Sequence, residues 1–179
     1  MKKYLLTVFS LCLLSACSSG TTSVEGSQHT DQAQLSVIGK VHSYSNPFFT
    51  LKADSRWFVS SQEGPQMPAH ITITNRFDKS IITVSASKYF RNMQETCTLS
   101  AKNLVNDHGS IVYGPVIENN TCVIKAKEGG MDMGIYLRVY NDNSFYSIHY
   151  EGNFKSIAPV IKRIEGDSRM SDIIKSIRH

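Results

Sequence analysis

Four segments of this chain alternate apolar and polar residues with a period of two, and one segment between them changes to a helical period. In His70-Ile71-Thr72-Ile73-Thr74, in Ile82 to Ser87, in Thr121 to Lys127 and in Gly134 to Tyr140, every second residue is apolar. Strands turn successive side chains to opposite faces, so this pattern demands a sheet with a face in a core. Met93, Cys97, Ala101 and Leu104 instead share one face of a helix over 92–106. Asn92 is its expected cap, and Glu95 follows three residues later as in a capping box.

The flanking segments complete the layout. Val37, Ile38 and Val41 predict a short entry strand. Pro47 to Leu51 predicts a strand, Asp54-Ser55-Arg56 a turn, and Trp57-Phe58-Val59 the hairpin partner. Ile111 to Val116 is broken by Gly114-Pro115, which suits an edge strand. Asn141-Asp142-Asn143 predicts a tight turn from 134–140 into Phe145 to Tyr150. Near the end, Ile157, Val160, Ile161 and Ile164 fit one helical face, with Pro159 in its first turn. Met170, Ile173, Ile174 and Ile177 follow the same spacing after Gly166. The order of strands, helix, strands and helices gives an α+β domain, an antiparallel sheet with a central helix and C-terminal helices packed on it.

The first residues set an address. Lys2 and Lys3 precede an apolar run from Tyr4 to Leu14, and Ser15 and Ala16 are the small residues a signal peptidase needs. The run is short of the roughly 20 residues that span a bilayer. Leu14-Ser15-Ala16-Cys17 resembles the bacterial lipobox, the motif read by lipoprotein signal peptidase. The resemblance implies that Cys17 carries a diacylglyceryl thioether, that the leader 1–16 is removed, and that the new amino group is acylated. Two or more acyl chains hold a protein stably on a membrane. The residue after the cysteine is Ser18, which resembles the outer-membrane rather than the inner-membrane sorting pattern. Residues 17–34 are polar and small and read as a flexible tether. The globular head then spans 35–179, about the size of one domain.

Charge excludes little and suggests less. The chain has 19 basic and 15 acidic residues, and two of the basic ones lie in the leader. That balance, without a basic run, gives no argument for nucleic acid. Of the four cysteines, Cys12 lies in the leader and Cys17 in the lipobox. Cys97 and Cys122 remain as an even pair in an exported chain, and a disulfide between them is expected. It would add roughly 3 kcal/mol in the chain-entropy model. The alternative is two buried thiols.

No constellation for catalysis stands out. No two of the six histidines are close enough in sequence for metal-ligand spacing, and no nucleophile elbow or phosphate-cradling loop occurs. Neither a metal nor a cofactor is expected. Tyr136 and Tyr140 alternate against Ile135, Leu137 and Val139 and form a candidate interaction surface if helices cover only the aliphatic face. The early Phe49-Thr50-Leu51 strand, Trp57, the central helix, the late hairpin and the Ile-rich end resemble the PsbP/Mog1-like fold, which also occurs in small bacterial envelope lipoproteins. The expected function is therefore a lipid-anchored, non-enzymatic envelope protein that binds a protein or envelope component. The alternative is an immunity or inhibitor lipoprotein that neutralises a secreted toxin or hydrolase.

Overall fold

A computed structural model describes residues 40–88, 92–108 and 110–178. The leader, Cys17, the tether and the Val37-Ile38 part of the expected entry strand lie outside the described residues. The fold is α+β, with antiparallel sheets and helices packed on them.

Strands β3 (Trp57–Ser61), β4 (Ala69–Asn75), β5 (Ile81–Lys88), β6 (Ser110–Glu118), β7 (Thr121–Glu128), β8 (Met131–Asn141) and β9 (Ser144–Gly152) form a seven-stranded sheet in the order β3-β4-β5-β9-β8-β7-β6. Helix α1 (Met93–His108) carries the chain from β5, in mid-sheet, to the far edge at β6. The meander β6 to β9 then returns to pair β9 with β5. A second sheet of three strands, β1 (Val41–Ser45), β2 (Phe49–Asp54) and β10 (Glu165–Gly166), places β2 in the middle. Helices α2 (Phe154–Ile161) and α3 (Ser168–Ser176) flank β10 in the chain.

The register explains the two cores. Val123, Tyr136, Ile148, Val84 and Ile71 lie side by side on β7, β8, β9, β5 and β4. With Leu51 and Ala53 of the small sheet, Ile157 and Ile161 of α2 and Met170 and Ile173 of α3, they form the main core. On the opposite face Cys122, Ile124 and Ala126 of β7 stand beside Leu137, Ile135 and Met133 of β8. These residues meet Cys97, Ala101 and Leu104 of α1 in a second core. Cys97 and Cys122 form a disulfide at its centre, with Cα atoms 5.7 Å apart and both residues fully buried. Asn92 caps α1 by accepting the Gln94 amide at 2.8 Å. Gly134 lies inside β8, where a Cβ would run into the Tyr150 ring on β9.

Two local expectations are corrected. Trp57 to Val59 is not the hairpin partner of β2: β3 pairs with β4, and β2 pairs with β1 and β10. The intervening turn carries the chain from one sheet to the other. Asp54 Oδ1 accepts the Arg56 amide at 3.1 Å, and its two oxygens take Arg56 Nε and Nη2 at 2.9 and 2.7 Å. That clamp holds the Asp54 carboxyl below its usual range. Pro159 lies in the second turn of α2 rather than the first. The helix starts at Phe154, where Asn153 accepts the Lys155 amide, and Ile164 is buried beyond its end.

Replacing Cys97 and Cys122 together by Ala should lower the unfolding free energy by about 2–4 kcal/mol. Urea melts measure this. Hydrogen exchange should show α1 losing protection before the central strands, whereas unchanged protection would mean that packing alone holds the helix.

Candidate functional site

The tyrosines are the first surface to test. Tyr136 is 0% exposed, seated between Val123 and Ile148 of the neighbouring strands. Its ring stacks on Tyr150 at 6.1 Å between centroids, and Tyr150 meets Phe154 of α2 at 5.4 Å. Tyr140 is half-buried, stacked on Tyr146 at 4.6 Å and edge-on to Phe48 at 5.8 Å. Tyr136 therefore offers no surface, which corrects the expectation of an exposed tyrosine pair. Alternation placed these rings on one face, and the small sheet with α2 and α3 covers that face as α1 covers the other. Burial raises the phenols of Tyr136 and Tyr150 above their ordinary value and pushes Tyr146 up to about 12.

The coverage of the large sheet is diagonal. Helix α1 lies over β6, β7 and β8 on one face. On that face the residues change character between β8 and β9. The row Ile124, Ile135 continues as His149, Thr83 and Thr72, and the row Cys122, Leu137 continues as Ser147, Ser85 and His70. Thr72 Oγ1 meets His70 Nε2 at 3.2 Å and Thr83 Oγ1 at 3.1 Å, and Ser85 and Ser147 hydroxyls are 2.7 Å apart. Burial lowers the pKa of His70. Hydroxyls engage one another and His70 Nε2, which satisfies part of the polar quarter, while His70 Nδ1 is buried without a hydrogen-bond partner. Among the described residues, no group of three His, Cys, Asp or Glu side chains is placed to hold a metal ion.

The other uncovered quarter, on the opposite face at β6 and β7, holds a pocket of about 540 Å³ against α3. Its floor is Val123, and Lys125, Arg138, Lys175 and Arg178 line it together with Glu118 and Asp172. Arg138 organises it. This side chain is 15% exposed and bonds Asp172 Oδ2 at 2.9 Å. Its Nη1 donates to the Asn119 carbonyl and, at 3.1 Å, to Thr121 Oγ1. Asn119 and Asn120 both have positive φ, as a tight two-residue hairpin requires, so Arg138 fastens the β6–β7 turn to α3. Lys175 reaches the other Asp172 oxygen at 3.6 Å, Lys125 donates to the Arg178 carbonyl at 2.7 Å, and the Tyr113 hydroxyl donates to Glu118.

A second opening of about 590 Å³ lies where β1 and β3 face each other as sheet edges. Tyr44, Trp57, Val59 and Ile71 supply apolar walls, with Arg76 and Glu63 also in the lining. Gln62 N bonds His70 O, and Arg76 N bonds Arg56 O. That alternation turns the backbone groups of Trp57, Val59 and Ser61 away from β4, toward the opening. Phe58 is 60% exposed on this strand. The far edge strand, β6, contains Pro115 and two register shifts that blunt it, and β3 has neither.

Sequence reasoning missed both openings. Their lining residues come from segments far apart in the chain, and the local pairs Asp172–Lys175 and Tyr113–Glu118 do not by themselves outline a pocket. One signal was present: Arg138 shares the alternation of Tyr136 and Tyr140, and an arginine among inward aromatics needs partners.

No protein-family model matches the chain, and no curated protein matches it. A solved structure from Bacteroides thetaiotaomicron VPI-5482 is similar at a TM-score of 0.39 and 17% identity, over 73% of this chain and 49% of that one. This chain thus spans about half the length of that protein. At that TM-score the likeness carries no argument about fold or function.

Alkaline titration followed by phenolate absorbance should show Tyr136, Tyr146 and Tyr150 still protonated in the folded protein at a pH where the phenols of the unfolded chain have ionised. Because their folded pKa values lie above the unfolded one, stability should be constant below about pH 10 and fall above it. Ionisation of these three phenols in the folded protein at the pH of the unfolded chain would contradict the packing described.

Proposed function

We propose that this chain is a lipid-anchored protein of a bacterial cell envelope, held at the outer membrane, whose head domain binds another protein. The observation that carries the reading is Leu14-Ser15-Ala16-Cys17 behind Lys2, Lys3 and an apolar run. The Cys97–Cys122 bond supports it, because disulfides persist in oxidising compartments outside the cytosol. Among the described residues no helix is long and apolar enough to cross a membrane, so the proposed attachment rests on Cys17.

The groove between β1 and β3 is the binding surface in this proposal. An added strand gains main-chain hydrogen bonds from Trp57, Val59 and Ser61, and side-chain selection from the apolar walls. Ser61 is a suitable test position, because its amide points away from β4 and proline is tolerated there in an edge strand.

Two separable measurements test the proposal. Cys17→Ala should move the protein from the membrane fraction to the soluble fraction. If the variant stays with membranes after a salt wash, the anchor is wrong. A photo-crosslinker in place of Phe58 should capture a protein in intact cells, and Ser61→Pro should abolish that product without lowering the melting temperature. A product that persists in Ser61→Pro would refute strand addition. A captured toxin or hydrolase would make the head an inhibitor of it.

A further inference from the structure

We infer that the pocket between the β6–β7 hairpin and α3 is a binding site for a small dianion, a molecule carrying two carboxylate charges or a phosphate. This goes beyond the envelope reading and does not depend on where the protein resides.

The first argument is charge. Four basic side chains, Lys125, Arg138, Lys175 and Arg178, line the pocket against two acidic ones, Glu118 and Asp172. Asp172 is shared by Arg138 at 2.9 Å and Lys175 at 3.6 Å, so one carboxylate answers two cations. Glu118 accepts from the Tyr113 hydroxyl, a neutral donor. Lys125 donates to the carbonyl of Arg178 and lies 5.8 Å from the centroid of the Tyr113 ring, two neutral partners that bring no opposite charge to it. Among the described residues the lining therefore carries two more positive than negative charges, which a dianion would neutralise.

The second argument is preorganisation. Arg138 is largely buried, and three of its five N–H donors are fixed by Asn119, Thr121 and Asp172. A guanidinium held in this way loses little conformational freedom when it binds an oxyanion. Val123 is 2% exposed and gives the floor a low-dielectric backing, which strengthens the attraction. A volume of about 540 Å³ is in the range of sites for small molecules.

The third argument is geometry. The cations come from β7, β8, α3 and the segment after it, and they line one opening. A solvated charged surface has no reason to gather basic groups from four segments around one opening, because like charges repel.

The test is calorimetric titration of the full-length protein in detergent with succinate and with inorganic phosphate at about pH 8. At least one of the two should bind saturably, one per chain, and more tightly than the monoanion acetate. Lys125→Gln and Arg178→Gln should each weaken binding about fivefold, and Glu118→Gln should tighten it about threefold, as expected for single charges in a partly exposed site. The opposite signs separate a binding site from a structural ion network, since loss of folding would weaken all three variants alike. Thermal melts of each variant confirm that the fold is kept. Absence of saturable binding by both probes, or binding that none of the three variants changes, overturns the inference.

Discussion

The disulfide between Cys97 and Cys122 is the contact on which one face of the sheet depends. Helix α1 has sixteen residues, yet its buried contribution to the second core is Cys97, Ala101 and Leu104, with Met93 partly buried. Two of these are small. Leu99 and Val105 point outward, at 58% and 46% exposed. An apolar stripe this narrow gives α1 limited hydrophobic stabilisation, on the order of 25 cal/mol per Å² of area removed from water. The covalent link supplies what the stripe lacks. It fixes α1 over β7, and β7 brings Ile124 and Ala126 to meet Ile135 and Met133 of β8. The second core thus rests on a covalent staple as well as on packing.

The main core has the reverse logic. It needs no cross-link, because two sheets and two helices converge on it from different parts of the chain. β2 is buried at Phe49, Leu51 and Ala53, α2 at Ile157, Val160 and Ile161, and α3 at Met170 and Ile173. The ion pair between Lys52 and Glu165 stands where β10 meets β2, beside this packing. Coverage of opposite faces on opposite halves follows from this division. The sheet is too wide for one helix, so α1 protects the β6 end on one face while the small sheet and the C-terminal helices protect the centre of the other. What is left over is a polar quarter on the first face and a cationic pocket on the second.

The parts of this plan that were legible in the sequence are the local ones. Alternation in 70–74, 82–87, 121–127 and 134–140 named four strands of the large sheet, and the spacing of Met93, Cys97, Ala101 and Leu104 named α1. Parity and compartment named the disulfide. Partnership was not legible. The turn at Asp54-Ser55-Arg56 has the same local chemistry whether it closes a hairpin or passes between sheets, and only the need of β4 for an edge partner distinguishes them. Strand β10 has two residues and no local signal, because its pairing with β2 creates it. Alternation put Tyr136 and Tyr140 on one face but is silent about what covers that face. The pocket was invisible for the same reason: Tyr113, Arg138 and Arg178 are neighbours only once β6, β7 and β8 have paired and α3 has docked.

The staple and the pocket are coupled through a single strand. Cys122 and Val123 are consecutive on β7, so their side chains point to opposite faces. Cys122 is bonded to α1 on one side, and Val123 floors the cationic pocket on the other. Fixing Cys122 therefore fixes the height and tilt of the pocket floor, and Lys125 follows two residues later on the same face as Val123. The groove at β3 is independent of this device. It lies five strand spacings from β7 across the large sheet, roughly 24 Å at 4.8 Å per strand, and beside β1, where the described chain begins. A partner strand seated there leaves the pocket uncovered, so the two openings can be occupied together and are separable by mutation. A change in the disulfide, by contrast, reaches the pocket through one peptide unit and reaches the groove only through the whole width of the sheet.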